Sequence, residues 1–266
     1  MTAIPPILLV GFGKMGGAML AGWRERGLAP SIAIDPTLPA SPGPDLTVLA
    51  DAAAIPHGFA PAAVVLAVKP QSADAALPHY ARYAGSAVML SIMAGRNIAG
   101  LRRLLGAEAA IVRAMPNTPA AVRQGITVAC PAPAVSIAQR ALCDTLLAAI
   151  GKVAWVEDEA LIDPVTAVSG GGPAYVFLLA ELLEQAAIEQ GIPAELARLM
   201  ARQTVSGSGA LLAASSEDSA TLRRNVTSPN GTTERALAVL MEQSAWPDAV
   251  SRAIAAATAR SRELAG

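Results

Sequence analysis

Through the first half of the chain, short apolar runs alternate with alanine-rich stretches of helical spacing. This is the pattern of a parallel sheet whose strands are separated and covered by helices. Residues 7–10, 32–35, 63–68, 87–92, 110–113, 126–129 and 153–156 are the predicted strands. Ile98, Leu101, Leu104 and Leu105 share one helical face, with Asn97 as N-cap before them and Gly106 as the stop after them. Four prolines between Pro36 and Pro44 forbid regular structure and mark a surface loop after the second strand.

Beyond Trp155 no strand-like run occurs, and helix punctuation takes over. Pro193 and Pro247 each suit the first turn of a helix. Helices are expected near 173–190, 193–214, 232–243 and 247–263, with a domain boundary near residue 160. The predicted fold class is therefore α/β: a sheet-based domain over residues 1–160 and an all-helical domain over 161–266.

Composition narrows the function. The 266 residues are 53% apolar, enough for a sizeable core, and a net charge of −1 with 15% charged residues provides no basic field for nucleic acid or an anionic membrane. A small-molecule partner is the expectation. The opening MTAIPPILLV has neither the positive charge nor the length of a signal segment, so a cytoplasmic location is expected. Cys130 and Cys143 have no CxxC spacing and no nearby histidine, so they are expected to pack in the core, with no metal site. A mean hydropathy of +0.44 without a long uninterrupted apolar segment implies surplus apolar helix surface buried between subunits, hence a homo-oligomer.

The string LLVGFGKMGGAML places Gly11, Gly13 and Gly16 in a GxGxxG pattern between a strand and a helix. Gly11 permits the tight turn, Gly13 lets backbone approach a pyrophosphate, and Gly16 lets the helix pack on the strand, leaving N-terminal amides for phosphate. A ligand-free glycine turn has the same pattern, but Asp35, 19 residues after Gly16 at the end of the second strand, suits the adenosine ribose hydroxyls. The first domain is thus a Rossmann-type domain for NAD(P)H, with Gly11, Phe12, Gly13, Lys14, Met15, Gly16 and Asp35 as cofactor residues. Asp35 favours NADH over NADPH, while Thr37 and backbone groups leave room for a 2′-phosphate.

The chemistry is constrained by what the helical half lacks. Lys14, Lys69, Lys152, His57 and His79 all precede it, so it offers neither lysine nor histidine as a general acid for alcohol or ketone chemistry. An imine is less demanding, because a C=N nitrogen can arrive protonated and its carbon then accepts hydride without a strong enzymic acid. A hydroxyl or water suffices to hold that nitrogen.

Four further strings occur in order: VKPQ at 68–71, VRAMPNTPAAVRQG at 112–125, DPVTAVSGGGPAYV at 163–176 and NVTSPNGTTERAL at 225–237. With the glycine fingerprint, the chain resembles the pyrroline-5-carboxylate reductase family over nearly its full length. The resemblance implies an NAD(P)H domain, a C-terminal helical dimerisation domain, and reduction of the cyclic imine 1-pyrroline-5-carboxylate to L-proline, the last step of proline biosynthesis. Two positions depart from the family pattern: Gly171 in SGGGPAY stands for a serine, and Asn230 in SPNGTT for a glycine. Asparagine is the residue after glycine that best tolerates left-handed backbone. These changes bear on substrate affinity rather than on reaction type.

Residues 228–233 lead from a proline turn into a helix near Thr232, where free amides meet a positive helix end. Ser228, Gly231, Thr232 and Thr233 are assigned to the substrate carboxylate, and the resemblance implies that the Thr233 hydroxyl also bonds the imine nitrogen, making Thr233 and Ser228 the catalytic candidates. A plain helix cap is the alternative for this turn. Val68, Lys69 and Pro70 are expected to end a strand beside the nicotinamide. Asn117, held among prolines, is expected to bond the nicotinamide ribose or amide, with an Asx-turn as its alternative. Ser169 interrupts a helical pattern with Gly170–Gly172 behind it and is expected at the substrate, against a simple interhelical turn.

Two other classes compete. A Rossmann-type hydroxy-acid dehydrogenase shares this architecture but expects a catalytic lysine in the helical half. A dinucleotide sensor without activity keeps the glycine motif but has no reason to retain SPNGTT.

Overall fold

A computed structural model describes residues 4–37 and 43–265. The middle of the predicted proline-rich loop, 38–42, lies outside the described residues. By internal packing the chain divides into two compact units, one formed by residues 1–170 with 257–266 and the other by 171–256.

The first unit runs β1 (Ile7–Val10), α1 (Lys14–Glu25), β2 (Ser31–Ile34), β3 (Leu46–Leu49), β4 (Ala63–Leu66), α2 (Ala73–Ala76), β5 (Val88–Ser91), α3 (Ile98–Leu105), β6 (Ile111–Met115), β7 (Gly125–Pro131), α4 (Ile137–Leu147), β8 (Gly151–Trp155) and α5 (Ile162–Val165). Its 8-stranded sheet has the order β3-β2-β1-β4-β5-β6-β7-β8. From β3 to β6 every pairing is parallel, in register Leu8↔Ile32 and Leu8↔Val64 about β1. Strand order reverses direction between β1 and β4, the switch point where ligands bind open α/β sheets.

Both faces of the sheet are covered. Leu8, Val10, Val64, Leu66 and Met89 enter one core, and Ile7, Leu9, Val65, Val88 and Leu90 the other. That two-sided burial explains the nearly continuous apolar runs. Asn97 caps α3 through the Gly100 amide at 2.7 Å, and Gly106 ends it at φ 110°, as its spacing predicts. Trp23 of α1 is sealed in the second core and donates from Nε1 to the Leu146 carbonyl at 2.9 Å. Cys130 and Cys143 are free and buried, and burial pushes their thiols up to about 11 and about 12.

The expectation of a parallel sheet holds from β3 to β6 and needs correction beyond it. β7 runs antiparallel to β6 and parallel to β8. Only a loop with the 3-10 turn Thr118–Val122 joins β6 to β7, and a parallel return needs a crossover of a dozen or more residues. β3 and α4 were not among the predicted elements.

The compact first unit extends past the expected boundary at residue 160. α5 buries Ile162 and Asp163 there, followed by the π-helical turn Thr166–Gly170, and residues 257–266 return to it. The second unit contains α6 (Gly172–Glu189), α7 (Ala194–Ala214), α8 (Ser219–Asn225) and α9 (Thr232–Leu240), and most of α10 (Trp246–Ala265), whose end belongs to the first unit. Helix α8 is an addition to the four expected. In α6 the side chains of Phe177, Leu178 and Leu182 are at least half exposed. The helical stretch Glu159–Glu189 is long and apolar enough to cross a membrane by length and composition, with mean hydropathy 1.3.

Candidate active site

Four site segments leave the sheet along one edge, because β1, β2, β4 and β6 are mutually parallel and each ends there. Gly11 follows β1 with φ +93°, and a Cβ on it would stand 2.7 Å from the Ala67 carbonyl oxygen and 2.9 Å from the Val68 nitrogen. No other residue fits both the angle and the space. A Cβ on Gly16 would stand 2.7 Å from the Gly11 carbonyl oxygen, so this glycine lets α1 close on the turn. By contrast, a Cβ on Gly13 would meet nothing within 4 Å: the space before it is open.

Helix α1 begins at that opening with no acidic residue in its first turn. The amides of Lys14, Met15 and Gly16 have no acceptor among the described residues. Free amides at the positive end of a 12-residue helix fit an anionic diphosphate.

Asp35 sits beside this turn and receives the Phe12 amide at 2.9 Å, the Thr37 amide at 2.9 Å and the Thr37 hydroxyl at 2.6 Å. Burial raises its pKa, but these three hydrogen bonds outweigh burial and hold the carboxyl below its ordinary range. The acid is therefore ionised at neutral pH, oriented by the glycine turn itself, with one acceptor site on Oδ2 remaining for a ribose hydroxyl.

Val68 is half-buried after β4, Lys69 is exposed, and Pro70 opens the 3-10 turn Pro70–Ser72. Sequence reasoning missed what holds this wall. Arg96 donates from Nε and Nη2 to the Pro70 carbonyl at 3.1 and 2.7 Å, while pairing with Asp74 at 2.8 Å. A lone arginine in MAGRN gave no sign of a partner 26 residues away.

Asn117 has extended backbone and makes no side-chain cap, so the Asx-turn alternative does not occur. Its Oδ1 accepts the Ile126 amide at 2.9 Å, and its Nδ2 donates to the Ser169 carbonyl at 3.1 Å. Asn117 and Ser169 are thus brought together, with one Nδ2 hydrogen left over. Ser169 lies in the π-helical turn, its hydroxyl donating to the Val165 carbonyl at 3.0 Å.

In the second unit, residues 228–233 gather in one turn. Pro229 and Asn230 form its corner, closed by the Gly231 amide donating to the Ser228 carbonyl at 3.0 Å. Asn230 has φ 58°, the left-handed angle that a type II turn requires at this corner and that asparagine accepts. Its amide donates to Glu234 Oε2 at 2.6 Å, fixing the corner to α9. No side chain caps α9, and the amides of Thr232, Thr233 and Glu234 find no acceptor among the described residues. The plain-cap alternative is therefore not realised, and the exposed turn presents free donors flanked by the Thr232 and Thr233 hydroxyls.

A sheet in the order 3-2-1-4-5-6 with a glycine fingerprint at its switch point and an acid closing its second strand defines a dinucleotide-binding protein of Rossmann type. The profile of the family described as pyrroline-5-carboxylate reductase dimerisation matches residues 159–264. A pyrroline-5-carboxylate reductase of Pseudomonas aeruginosa is 38% identical over 98% of this chain and 97% of that protein. Among solved structures, a pyrroline-5-carboxylate reductase from Coxiella burnetii superposes with TM-score 0.89 at 30% identity, covering 99% of each chain. A Plasmodium falciparum pyrroline carboxylate reductase with NADP bound superposes with TM-score 0.83 at 28% identity, covering 98% of this chain and 100% of that one. The chain belongs to the pyrroline-5-carboxylate reductase family.

Proposed function

We propose that this protein reduces 1-pyrroline-5-carboxylate to L-proline, the closing step of proline biosynthesis, with NAD(P)H as reductant. The observation that carries this reading is the turn at 228–233: free amides of Thr232 and Thr233 at the start of α9, with a threonine hydroxyl on each, in a domain matched by this family's profile.

Bound NAD(P)H supplies the hydride. Around it, the amides of Lys14, Met15 and Gly16 take the pyrophosphate, Asp35 takes the ribose hydroxyls, and the wall formed by Val68, Lys69 and Pro70 borders the nicotinamide with Asn117. Ser228, Thr232 and Thr233 hold the substrate carboxylate at the positive end of α9, bordered by Gly231, whose own amide closes the turn. The Thr233 hydroxyl bonds the ring nitrogen, and that nitrogen carries its own proton, so no lysine or histidine is needed in the helical domain. Ser169 completes the substrate side. The residues contribute position and electrostatics rather than covalent chemistry.

The apolar face of α6 belongs, on this reading, to a homodimer or higher homo-oligomer: the matched family is a dimerisation family, and a second copy buries Phe177, Leu178 and Leu182 without placing Glu181 and Glu184 in lipid. On the same reading the protein works in the cytoplasm. The test is NAD(P)H oxidation followed at 1-pyrroline-5-carboxylate and, in parallel, at short keto acids. Turnover with the imine alone is expected; turnover with a keto acid and none with the imine establishes the dehydrogenase alternative.

A further inference from the structure

Below the carboxyl end of β6 lies a buried polar cluster that the proposed chemistry does not use. Arg113 is 3% exposed between Val112 and Ala114, both in the core. Its Nη1 donates to Glu159 Oε1 at 2.9 Å, and its Nη2 stands 3.7 Å from Asp163 Oδ1. The same Glu159 oxygen accepts the Ile98 amide at 2.7 Å, and the same Asp163 oxygen accepts the Ser261 hydroxyl at 2.8 Å. The end of α10 is fastened nearby by Asn97 Nδ2 donating to the Ala265 carbonyl at 3.0 Å.

A guanidinium in such a place is a poor device for stability alone, since well-packed apolar residues usually serve a core as well or better. Its position says more. Arg113 stands just ahead of Asn117 on one segment, and Asp163 just ahead of the π-helical turn Thr166–Gly170 on the other. The Asn117 to Ser169 hydrogen bond joins the same two segments further on. Ion pair and amide bond are two rungs between β6 and the turn that carries Ser169. A π turn is a rare, high-energy departure from α-helix that recurs at functional sites, and it persists only where neighbours hold it.

We infer that Arg113 and Asp163, braced by Ser261, are positioning residues that set the π turn and so aim Ser169 at the substrate. This rests on the reading of Ser169 as a substrate-side residue. Loss of the charge pair frees the turn to relax and carries the Ser169 backbone away from Asn117, while the glycine turn at Gly11, built on β1 and α1, is untouched.

The test uses the full-length enzyme with two variants, Asp163→Asn and Ser261→Ala. The first keeps size and an acceptor for Ser261 but removes the charge facing Arg113; the second keeps the ion pair and removes its brace. Turnover is measured per site titrated by NADPH, so that unfolded protein does not count. The expected result is a fall in kcat of about tenfold for Asp163→Asn and about threefold for Ser261→Ala, with NADPH Kd within about twofold of the parent. Unchanged turnover per site with only a lowered Tm makes the cluster merely structural and overturns the inference, as does an equal loss of NADPH affinity. Should Asp163→Asn fail to fold, Ser261→Ala decides alone. An unaltered enzyme that leaves the imine unreduced overturns the underlying reading instead, and the inference falls with it.

Discussion

The two units solve the burial problem in opposite ways. In the first, the strands β1, β4 and β5 are buried on both faces within one chain. In the second, α6 buries none of its residues and α7 only Ala197 and Ala201, although both are rich in leucine. Apolar surface left in water is unfavourable by roughly 25 cal/mol per Å². The first unit therefore carries its own stability and can hold a preformed dinucleotide turn. The second, on the proposed reading, is completed by another copy of the chain, and it carries the turn assigned to the substrate. Cofactor binding and substrate turnover should accordingly separate under perturbation.

The largest effect is expected from Phe177→Asp, which places a charge on the exposed face of α6, where Phe177 is 68% exposed. Sedimentation should show a shift to monomer, and turnover should fall about 30-fold or more, the scale of an interface hot spot, while NADPH titration still reports binding. A monomer with full turnover would dissolve the distinction between the units. Gly11→Ala attacks the other side. It forces a side chain onto a left-handed angle and against the Ala67 carbonyl, so NAD(P)H affinity should drop about tenfold or more with the oligomer intact.

Thr233→Ala sharpens the contrast. Removal of one hydrogen bond to a charged group corresponds to about 1.5–3 kcal/mol, so kcat/KM should fall at least about tenfold with cofactor affinity nearly unchanged. Steady-state kinetics beside cofactor titration checks it, and unchanged turnover removes Thr233 from the site. The smallest effect is expected from Asp35→Ala: NADH should weaken by about fivefold and NADPH by less, because only the free ribose diol loses its partner. Equal losses refute the ribose assignment.

What the sequence disclosed follows from the range of the interactions. The strands about the switch point are fully apolar runs and could be read directly, as could α3 with its cap and stop. β3 buries only Leu46 and lies at the sheet edge, held by its ladder to β2, which leaves too weak an apolar signature. α4 did leave a local sign, since Ser136 and Gln139 form a capping box before it. The reversal of β7 was legible only in the shortness of the loop before it.

Within the candidate site, Gly11 and Asp35 could be picked out from backbone demand and spacing, and the structure sets Asp35 against the glycine turn through the Phe12 amide. Asn117 was expected to be held in its loop and to bond the nicotinamide; its amide oxygen and one nitrogen hydrogen bond the protein itself, which leaves one Nδ2 hydrogen for such a role. Arg113 stayed hidden because its partners lie far away, Glu159 at a separation of 46 residues, and Ser261 acts on Asp163 across 98. A charged residue inside the apolar run IVRAM is a sign of a buried pair, but the partner cannot be found without the fold.

The assignment of the 228–233 turn to the substrate bears the most weight, and a crystal structure with L-proline and oxidised cofactor bound tests it directly. The account predicts the proline carboxylate within hydrogen-bond distance of the Thr232 and Thr233 amides. A carboxylate bound elsewhere, with those amides facing only water, would contradict it.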